Sequence, residues 1–322
     1  MSTRAILKLR HTTSDLLDRL HQGVNVVRFL DFPDHTNVGD SAIALGSLEF
    51  WRQRGISLSG VHPLYATPRH VLADADSTFA LQGGGSFGGL YPPMNNFRLR
   101  VLRELHPEAT LIQMPQSVVF PSELHRRENA AAFASRPTAR VGARDRFSFG
   151  ELQSIGLSPT LTPDSAHMLG PISCPSATTP YVILARTDPE AAADASGSQG
   201  QRTFDWPRAT IPGRVLHRIK FQREWPDAAQ RLADRPPQFW IQRAQRRLAV
   251  GIPLLAEGST IITDRLHAMI LGLHLGRRVI AIDNANQKLS NYASTWLTDS
   301  ELPLEFSETF ADAVRAAKRT TN

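Results

Sequence analysis

The segment from Thr263 to His267 places an aspartate, an arginine and a histidine at the start of a predicted helix. The apolar run Ser259 to Thr263 predicts a strand, after which Asp264 is expected to cap a helix that begins at about Arg265. Backbone N–H groups at a helix start bind anions, and a planar guanidinium fits a carboxylate or a phosphate. Because an imidazole exchanges protons near neutral pH, the segment predicts an anion site with acid–base chemistry. The alternative is a capped helix with an exposed Arg265 and a packed His267.

Two glycine-containing loops follow other predicted strands. In Asn37-Val38-Gly39-Asp40 the glycine allows a tight turn, and Asp40 is expected to cap a helix that begins at Ser41. The run Gly83 to Gly89 contains five glycines, which let the backbone approach a ligand closely or simply turn the chain. The first loop is not the GxGxxG pattern of dinucleotide sites, and the second lacks the Gly-Lys-Ser/Thr ending of a P-loop.

Further polar motifs follow predicted strands. They are Met114 to Ser117, Ala143 to Asp145, Thr162 to Ala166, and Arg186 to Asp188. Because ligands of parallel sheets bind outside the carboxyl ends of the strands, these motifs are expected to line one cleft.

The single cysteine, Cys174, lies in a proline-rich stretch without a basic partner, so we expect no catalytic role for it. One cysteine also excludes an intrachain disulfide and a thiolate metal cluster. The histidines are scattered and show no His-x-x-x-His spacing, so no metal site is predicted.

Apolar runs alternate with helix-like runs along the chain. Strands are predicted at 24–32, 78–82, 110–114, 139–143, 181–185, 259–263 and 279–283. Helices are predicted at 41–54, 96–105, 121–135, 146–155, 238–251, 266–275 and 307–318. The order predicts an α/β protein with two Rossmann-like, doubly wound domains facing a cleft, residues 1–172 and 178–322, joined by a linker at 170–180. The last helix, capped by Ser307, is expected to pack back on the first domain, and 189–201 is expected to be a mobile loop.

The positive charge is concentrated in one stretch. The chain of 322 residues has a formal net charge of +6, and Arg202 to Arg247 contains 11 Lys/Arg and 4 Asp/Glu. This stretch is either a solvated basic face or a surface for an anionic partner such as lipid headgroups. Interleaved aromatic residues favour a membrane interface, and no nucleic-acid motif accompanies them. No apolar run is long enough to cross a membrane and no signal peptide is recognised, so a cytoplasmic protein, peripheral at the inner membrane, is expected.

The ordered set of motifs resembles the polysaccharide pyruvyl transferase family between about Phe29 and Trp296. The resemblance implies a glycosyltransferase-B-like fold, phosphoenolpyruvate as donor and no further cofactor. The implied product is a pyruvate ketal on a sugar of an exopolysaccharide or of its lipid-linked repeat unit. The resemblance places the donor in the second domain and the acceptor in the first. It implies donor contacts from Arg186, Arg265, Leu266, His267, Gln116 and Ser117. It implies that these loop residues face the donor or the acceptor: Asn37, Gly39, Asp40, Gly84, Gly85, Ser86, Arg144 and Asp164.

The family often carries a histidine soon after its Pro-Gln-Ser motif. Here Val118, Val119 and Phe120 follow instead, so Gln116 or Ser117 is expected to substitute for that contact.

The chemistry needs cations for the donor, an acid for its methylene carbon and a base for the sugar hydroxyls. We expect Arg186 and Arg265 to hold the donor and His267 to be the acid or a phosphate contact. Three aspartates are candidates for the base: Asp40, Asp145 and Asp164. A sugar-nucleotide glycosyltransferase of the same fold and a non-catalytic glycan-binding protein remain the alternatives.

Overall fold

The computed structural model of the chain describes residues 2–187, 203–206, 226–283 and 286–319. These residues form two parallel β-sheets with helices packed on their faces. The first sheet contains β1 (Val26–Leu30), β2 (Ser57–His62), β3 (Thr78–Leu81), β4 (Gly84–Phe87), β5 (Thr110–Val118), β6 (Arg140–Ala143) and β7 (Thr160–Leu161). The described strands of the second are β8 (Thr179–Leu184), β9 (Thr203–Phe204), β10 (Gly258–Thr263), β11 (Arg278–Ile282) and β12 (Leu304–Ser307).

The helices are close to the predicted ones but more numerous. In the first half they are α1 (Ser2–Leu20), α2 (Val38–Gln53), α3 (Arg69–Leu72), α4 (Pro92–Glu104), α5 (Glu123–Ala134) and α6 (Arg146–Ser154). The described helices of the second half are α7 (Pro226–Ala233), α8 (Pro237–Ala256), α9 (Leu266–His274), α10 (Lys288–Trp296) and α11 (Phe310–Arg319). None of these helices combines the length and the apolar content needed to cross a bilayer.

Both sheets reverse their strand order at one point. The first runs β2-β1-β3-β5-β6-β7, with β4 beside the end of β5, and the second runs β12-β11-β10-β8-β9. The order therefore reverses between β1 and β3 in one sheet and between β8 and β10 in the other. Crevices outside the strand ends at such points are where doubly wound sheets bind ligands.

Three helices contribute to both hydrophobic cores. Helix α1 places Ile6 and Leu9 in the core of the second sheet and Leu17 and Leu20 in that of the first. Helices α2 and α8 are divided in the same way, and α7 packs with the first core although it belongs to the second half. The chain leaves the first sheet after residue 161 and enters the second at residue 179, but these helices pack against both cores. The division into two domains at 172 and 178 stays a prediction.

The prediction for the last helix is wrong in two respects. Helix α11 packs on β8, β10 and β11 of its own sheet, because Phe310, Ala313, Val314 and Ala317 form one apolar face. Its N-terminus is capped by Thr309, whose hydroxyl accepts from the Asp312 N–H at 3.1 Å, rather than by Ser307, which ends β12. The predicted loop at 189–201 lies outside the described residues.

Candidate functional site

A cavity of about 310 Å³ lies where the two reversal points face each other. Its walls come from the loops after β1, β3, β8 and β10 and from the starts of α2, α4, α9 and α10. Nine of the residues predicted from the sequence line it: Asn37, Asp40, Gly85, Ser86, Arg144, Arg186, Arg265, Leu266 and His267. Its volume is at the lower end of the usual range for small-molecule pockets, about 300–1,000 Å³.

The start of α2 is organised by Asn37 rather than by Asp40. The Asn37 side chain accepts from the Gly39 N–H at 2.9 Å and donates to the Asp40 carboxylate at 2.8 Å, so Asn37 is the cap. Asp40 occupies the first turn, where a carboxylate also stabilises the helix start. Its side chain faces the cavity and lies 3.4 Å from His35 Nε2, a neighbour that the sequence reasoning missed.

The glycine loop is braced from behind by Gln116. The Gln116 amide accepts from the Ser86 N–H at 3.0 Å and donates to the Gln82 carbonyl at 2.8 Å. Gln116 and Ser117 are buried behind the cavity wall, as is Gly84. In this structure the three residues therefore support the loop and its neighbours, and they are not among the residues that line the cavity, where direct contacts were predicted for them.

A buried carboxylate joins the two halves of the site. Asp164 Oδ2 accepts from Arg144 Nη1 at 2.9 Å and lies 3.2 Å from His267 Nε2. Burial alone would raise the pKa of Asp164, but His267 and Arg144 outweigh it and hold that pKa well below the usual range. Asp164 is therefore a fixed anion that orients Arg144 and His267.

Two of the three candidate bases are too buried to contact a ligand in the cavity. Asp164 is fully buried, and Asp145 is buried while it accepts from the Ser117 hydroxyl at 2.6 Å and caps α6. Asp40 is the member of the three that faces the cavity.

A chain of neutral groups continues behind Asp164. The Asp164 N–H donates to the Tyr292 hydroxyl at 2.9 Å, which lies 2.7 Å from His167 Nε2, and His167 Nδ1 lies 2.9 Å from His274 Nε2. Burial lowers the pKa of His274 to about 4 and that of His167 well below its ordinary value, so both rings are neutral. The chain ties α9 and α10 to the loop after β7.

Two cations converge on the glycine loop. A Cβ atom at Gly85 would lie 3.1 Å from Arg144 Nη2 and 3.5 Å from Lys288 Nζ, so these side chains crowd the same point from different halves of the chain. Lys288 is the first residue of α10 and was not predicted. Glycine at this position keeps the space beside both cations open.

Arg186 and Arg265 reach the cavity from the strand ends of the second sheet. Arg186 donates to the Tyr91 hydroxyl at 3.2 Å, and its backbone N–H donates to the Asp264 carboxylate at 2.9 Å. Asp264 therefore holds the loop after β8 instead of capping α9, which begins at Leu266 with Arg265 in the cap position. Arg265 Nη2 donates to Asp205 at 2.7 Å, and its Nε lies 2.6 Å from the same carboxylate.

Asp205, which was not predicted from the sequence, holds the Arg265 side chain in place. Burial would raise the pKa of Asp205, but the hydrogen bond and charge of Arg265 lower it below the ordinary value. The carboxylate therefore stays ionised and holds the guanidinium at the cavity wall.

Gly39 lets the starts of α2 and α9 approach each other. A Cβ atom there would lie 2.6 Å from both Cβ and Nδ1 of His267. Gly39 thus does not line the cavity but determines where His267 lies.

We expect Gly39→Ala to displace His267 and to lower the rate of the reaction by about 10²-fold, the usual cost of a small misplacement at a reacting centre. The steady-state rate is compared between the purified variant and the wild-type protein. Gly150→Ala is the control, because Gly150 is helical in α6 with nothing within 4 Å of an added Cβ. An unchanged rate in Gly39→Ala would contradict the positioning role of this contact.

Several residues that line the cavity were not predicted. They include Asp31, His35, Gln82, Tyr91, Trp206 and Lys288. Asp31 and Gln82 directly follow β1 and β3, and Lys288 lies six residues beyond the end of β11. Asp31 and Gln82 were missed because the predicted strands 24–32 and 78–82 extend one or two residues beyond the ends of β1 and β3.

The chain matches a known protein family and is similar in sequence to two named proteins. Residues 37–286 match the model of the family described as polysaccharide pyruvyl transferase. The chain is 30% identical over 298 residues to pyruvyl transferase 1 of Schizosaccharomyces pombe, covering 85% of this chain and 70% of that protein. It is also 25% identical over 301 residues to a Bacillus subtilis protein named "Putative pyruvyl transferase EpsO". This match covers 92% of this chain and 92% of that protein.

A solved structure shares the fold. The crystal structure of an uncharacterised Klebsiella pneumoniae protein superposes with a TM-score of 0.64 at 18% sequence identity, over 94% of this chain and 99% of that one. At this identity the likeness concerns the fold alone.

Proposed function

Because this chain belongs to the polysaccharide pyruvyl transferase family and is an enzyme of that kind, we propose that it uses phosphoenolpyruvate to form a pyruvate ketal on two hydroxyls of a saccharide. The observation that carries the choice of donor is the convergence of cationic side chains on one cavity: Arg144, Arg186, Arg265 and Lys288. Phosphoenolpyruvate carries a carboxylate and a phosphate, and guanidinium groups bind both.

The two helix starts add to this charge. Helices α2 and α9 begin at the cavity and approach each other at Gly39 and His267. Helix N-termini carry partial positive charge and unpaired N–H groups, which bind anions without a metal ion. We propose that the donor needs no further cofactor, since arginines and helix starts can neutralise its charge.

Each predicted catalytic residue has a role in this proposal. Arg265, fixed by Asp205, and Arg186 bind the anionic groups of the donor. His267, oriented by Asp164, contacts the phosphate and gives a proton to it as it leaves. Asp40, beside His35, takes the proton of the second sugar hydroxyl on the first-half side of the cavity, where we place the acceptor.

The donor is tested by supplying labelled phosphoenolpyruvate and sugar nucleotides separately, each with a saccharide acceptor. We expect phosphate release and a labelled saccharide with phosphoenolpyruvate alone. Transfer from a sugar nucleotide with phosphoenolpyruvate left intact would instead support a glycosyltransferase. Tight glycan binding with no turnover of either donor would support a binding protein.

We further propose that the acceptor is lipid-linked and meets the enzyme at an anionic membrane surface through the basic segment 202–247. Within this segment the structure describes residues 203–206 and 226–247, and several of their basic and aromatic side chains pack against the protein itself. Arg243 and Arg247 pair with Asp34, and Trp206 and Trp240 are buried instead of reaching a membrane interface.

Binding to anionic vesicles is expected to weaken as salt rises, because screening shortens the reach of surface charges to about 10 Å at 0.1 M salt. Co-sedimentation with vesicles of anionic and of neutral lipid measures this. Arg246→Glu, on the exposed face of α8, should reduce the bound fraction. Salt-independent or absent binding would remove the membrane proposal.

A further inference from the structure

Asp31 has an unusual backbone conformation at the centre of the site. It directly follows β1 and lines the cavity at the reversal point of the first sheet. Its φ is +56°, in the left-handed region, and it shares a positive φ with Gln287 among the described non-glycine residues. Aspartate and asparagine tolerate this region better than most residues, and such conformations cluster at functional sites. The turn directs the chain from β1 into the loop that leads to α2.

The Asp31 carboxyl is nearly buried, yet its neighbours do not bind it. Its side chain is 8% exposed, and the groups acting on it are the charges of Arg98 in α4 and Asp40 in α2, with no hydrogen bond from a described residue. The Arg98 guanidinium is held elsewhere, by Gln113 at 2.7 Å and by Ser86 at 3.3 Å. A buried carboxyl without donors, facing a cavity, is arranged for a ligand rather than for stability.

The electrostatic balance keeps this carboxyl ready to exchange a proton. Burial, with a smaller contribution from Asp40, raises the pKa of Asp31 to about 7, although Arg98 opposes the shift. Both protonation states are therefore populated near neutral pH, which is the condition that favours general acid–base catalysis.

One proton of the proposed reaction has not yet been assigned to a donor residue. The methylene carbon of the donor must gain a proton before C2 accepts a hydroxyl, and His267 and Asp40 are assigned to the phosphate and to the second hydroxyl. Asp31 lies with Asp40 on the first-half wall, whereas Arg186 and Arg265 belong to the second-half wall.

Resting on the proposed function, we propose that Asp31 is the acid that protonates the methylene carbon and the base that then accepts the proton of the first attacking hydroxyl. In the first step the Asp31 O–H proton forms a C–H bond at C3 while the double bond to C2 opens. The first sugar oxygen bonds to C2, and its proton returns to the Asp31 carboxylate, which restores the acid. The C2–O bond to phosphate then breaks, and the second hydroxyl adds to C2.

Asp31→Asn tests the role because asparagine preserves shape and tolerates the left-handed φ but cannot donate this proton. We expect kcat to fall by about 10²–10⁴-fold, while the Kd for phosphoenolpyruvate, measured by calorimetry, stays within a few-fold of wild type. Asp15→Asn, on the exposed side of α1, is the control and should leave both unchanged. In Asp31→Gly, where glycine adopts the same φ freely, added formate should restore part of the lost kcat.

Stability against pH gives a second readout. Since the folded-state pKa of about 7 lies above the ordinary carboxyl pKa, the folded protein retains its proton between about pH 4 and pH 7 while the unfolded chain releases it. Wild type should therefore lose thermal stability relative to Asp31→Asn as pH rises through this window. Wild-type kcat in Asp31→Asn, or loss of donor binding together with kcat, would overturn the inference. A wild-type enzyme that neither binds nor consumes phosphoenolpyruvate would overturn the proposed function and this inference with it.

Discussion

Replacing His267 with alanine should lower the rate of pyruvyl transfer at saturating donor by about 10²–10⁴-fold, the range typical of a lost acid–base group. His267 Nε2 lies 3.2 Å from the fixed anion Asp164, and the ring lines the cavity beside the cationic side chains. In the proposed mechanism, its loss removes a proton donor to the departing phosphate and a contact to that group. Both effects are measured by phosphate release and by donor calorimetry.

The variant His11→Ala is the matched control, because His11 is exposed on α1 and is not among the residues that line the cavity. It should behave as wild type in both assays. If His267→Ala retained the full rate with unchanged donor affinity, the assignment of His267 to the reaction would be wrong.

Asp164→Ala should have the largest effect on stability, lowering the free energy of unfolding by about 3–5 kcal/mol. The change leaves the buried Arg144 without its ion pair and removes the anion beside His267. Urea unfolding at neutral pH measures the loss. Arg144 is also expected to lose its orientation toward Gly85, so activity should fall with stability.

The pH dependence of this contribution has a definite sign. The folded-state pKa of Asp164 is lowered, so its stabilisation is complete above the ordinary carboxyl pKa of about 4 and is lost as pH falls below that value. Wild type should thus approach the stability of Asp164→Ala only in acid. Asp18→Asn, which removes an exposed pair with Arg54, should cost at most about 1 kcal/mol. A similarly small loss in Asp164→Ala would contradict the central position of this carboxylate.

Seven of the twelve described strands could be predicted, because each of the seven has an apolar run at its centre, whereas the shorter or more polar β2, β4, β7, β9 and β12 were missed. Phe29 and Leu30 of β1 and the run from Thr260 to Thr263 in β10 are buried on both faces, which is typical of parallel sheets. Since polar residues follow these strands at one edge, nine cavity residues followed from the same pattern.

Which core a helix joins could not be read from the sequence. An apolar helix face shows that the helix is buried but not which sheet it packs against. Helices α1 and α8 bury residues in both cores, and only tertiary packing determines this division. Asp40 and Asp264 were predicted to cap helices and do not, for a related reason. Asn37 and the Arg186 N–H compete for these carboxylates, and no local pattern reveals such partners.

Asp31 illustrates what remains hidden in a sequence. Its left-handed φ, its burial and its closeness to the charges of Arg98 in α4 and Asp40 in α2 are properties of the folded chain. In the sequence Asp31 falls within the predicted strand 24–32, and no local pattern reveals those neighbours.

We propose that this enzyme places a pyruvate ketal on a surface polysaccharide. This proposal is tested most directly by mass spectrometry of the polysaccharide from cells that contain the active protein, the His267→Ala variant, or neither. The ketal should be present with the active protein and absent from the other two. An identical ketal content in all three polysaccharides would contradict the claim.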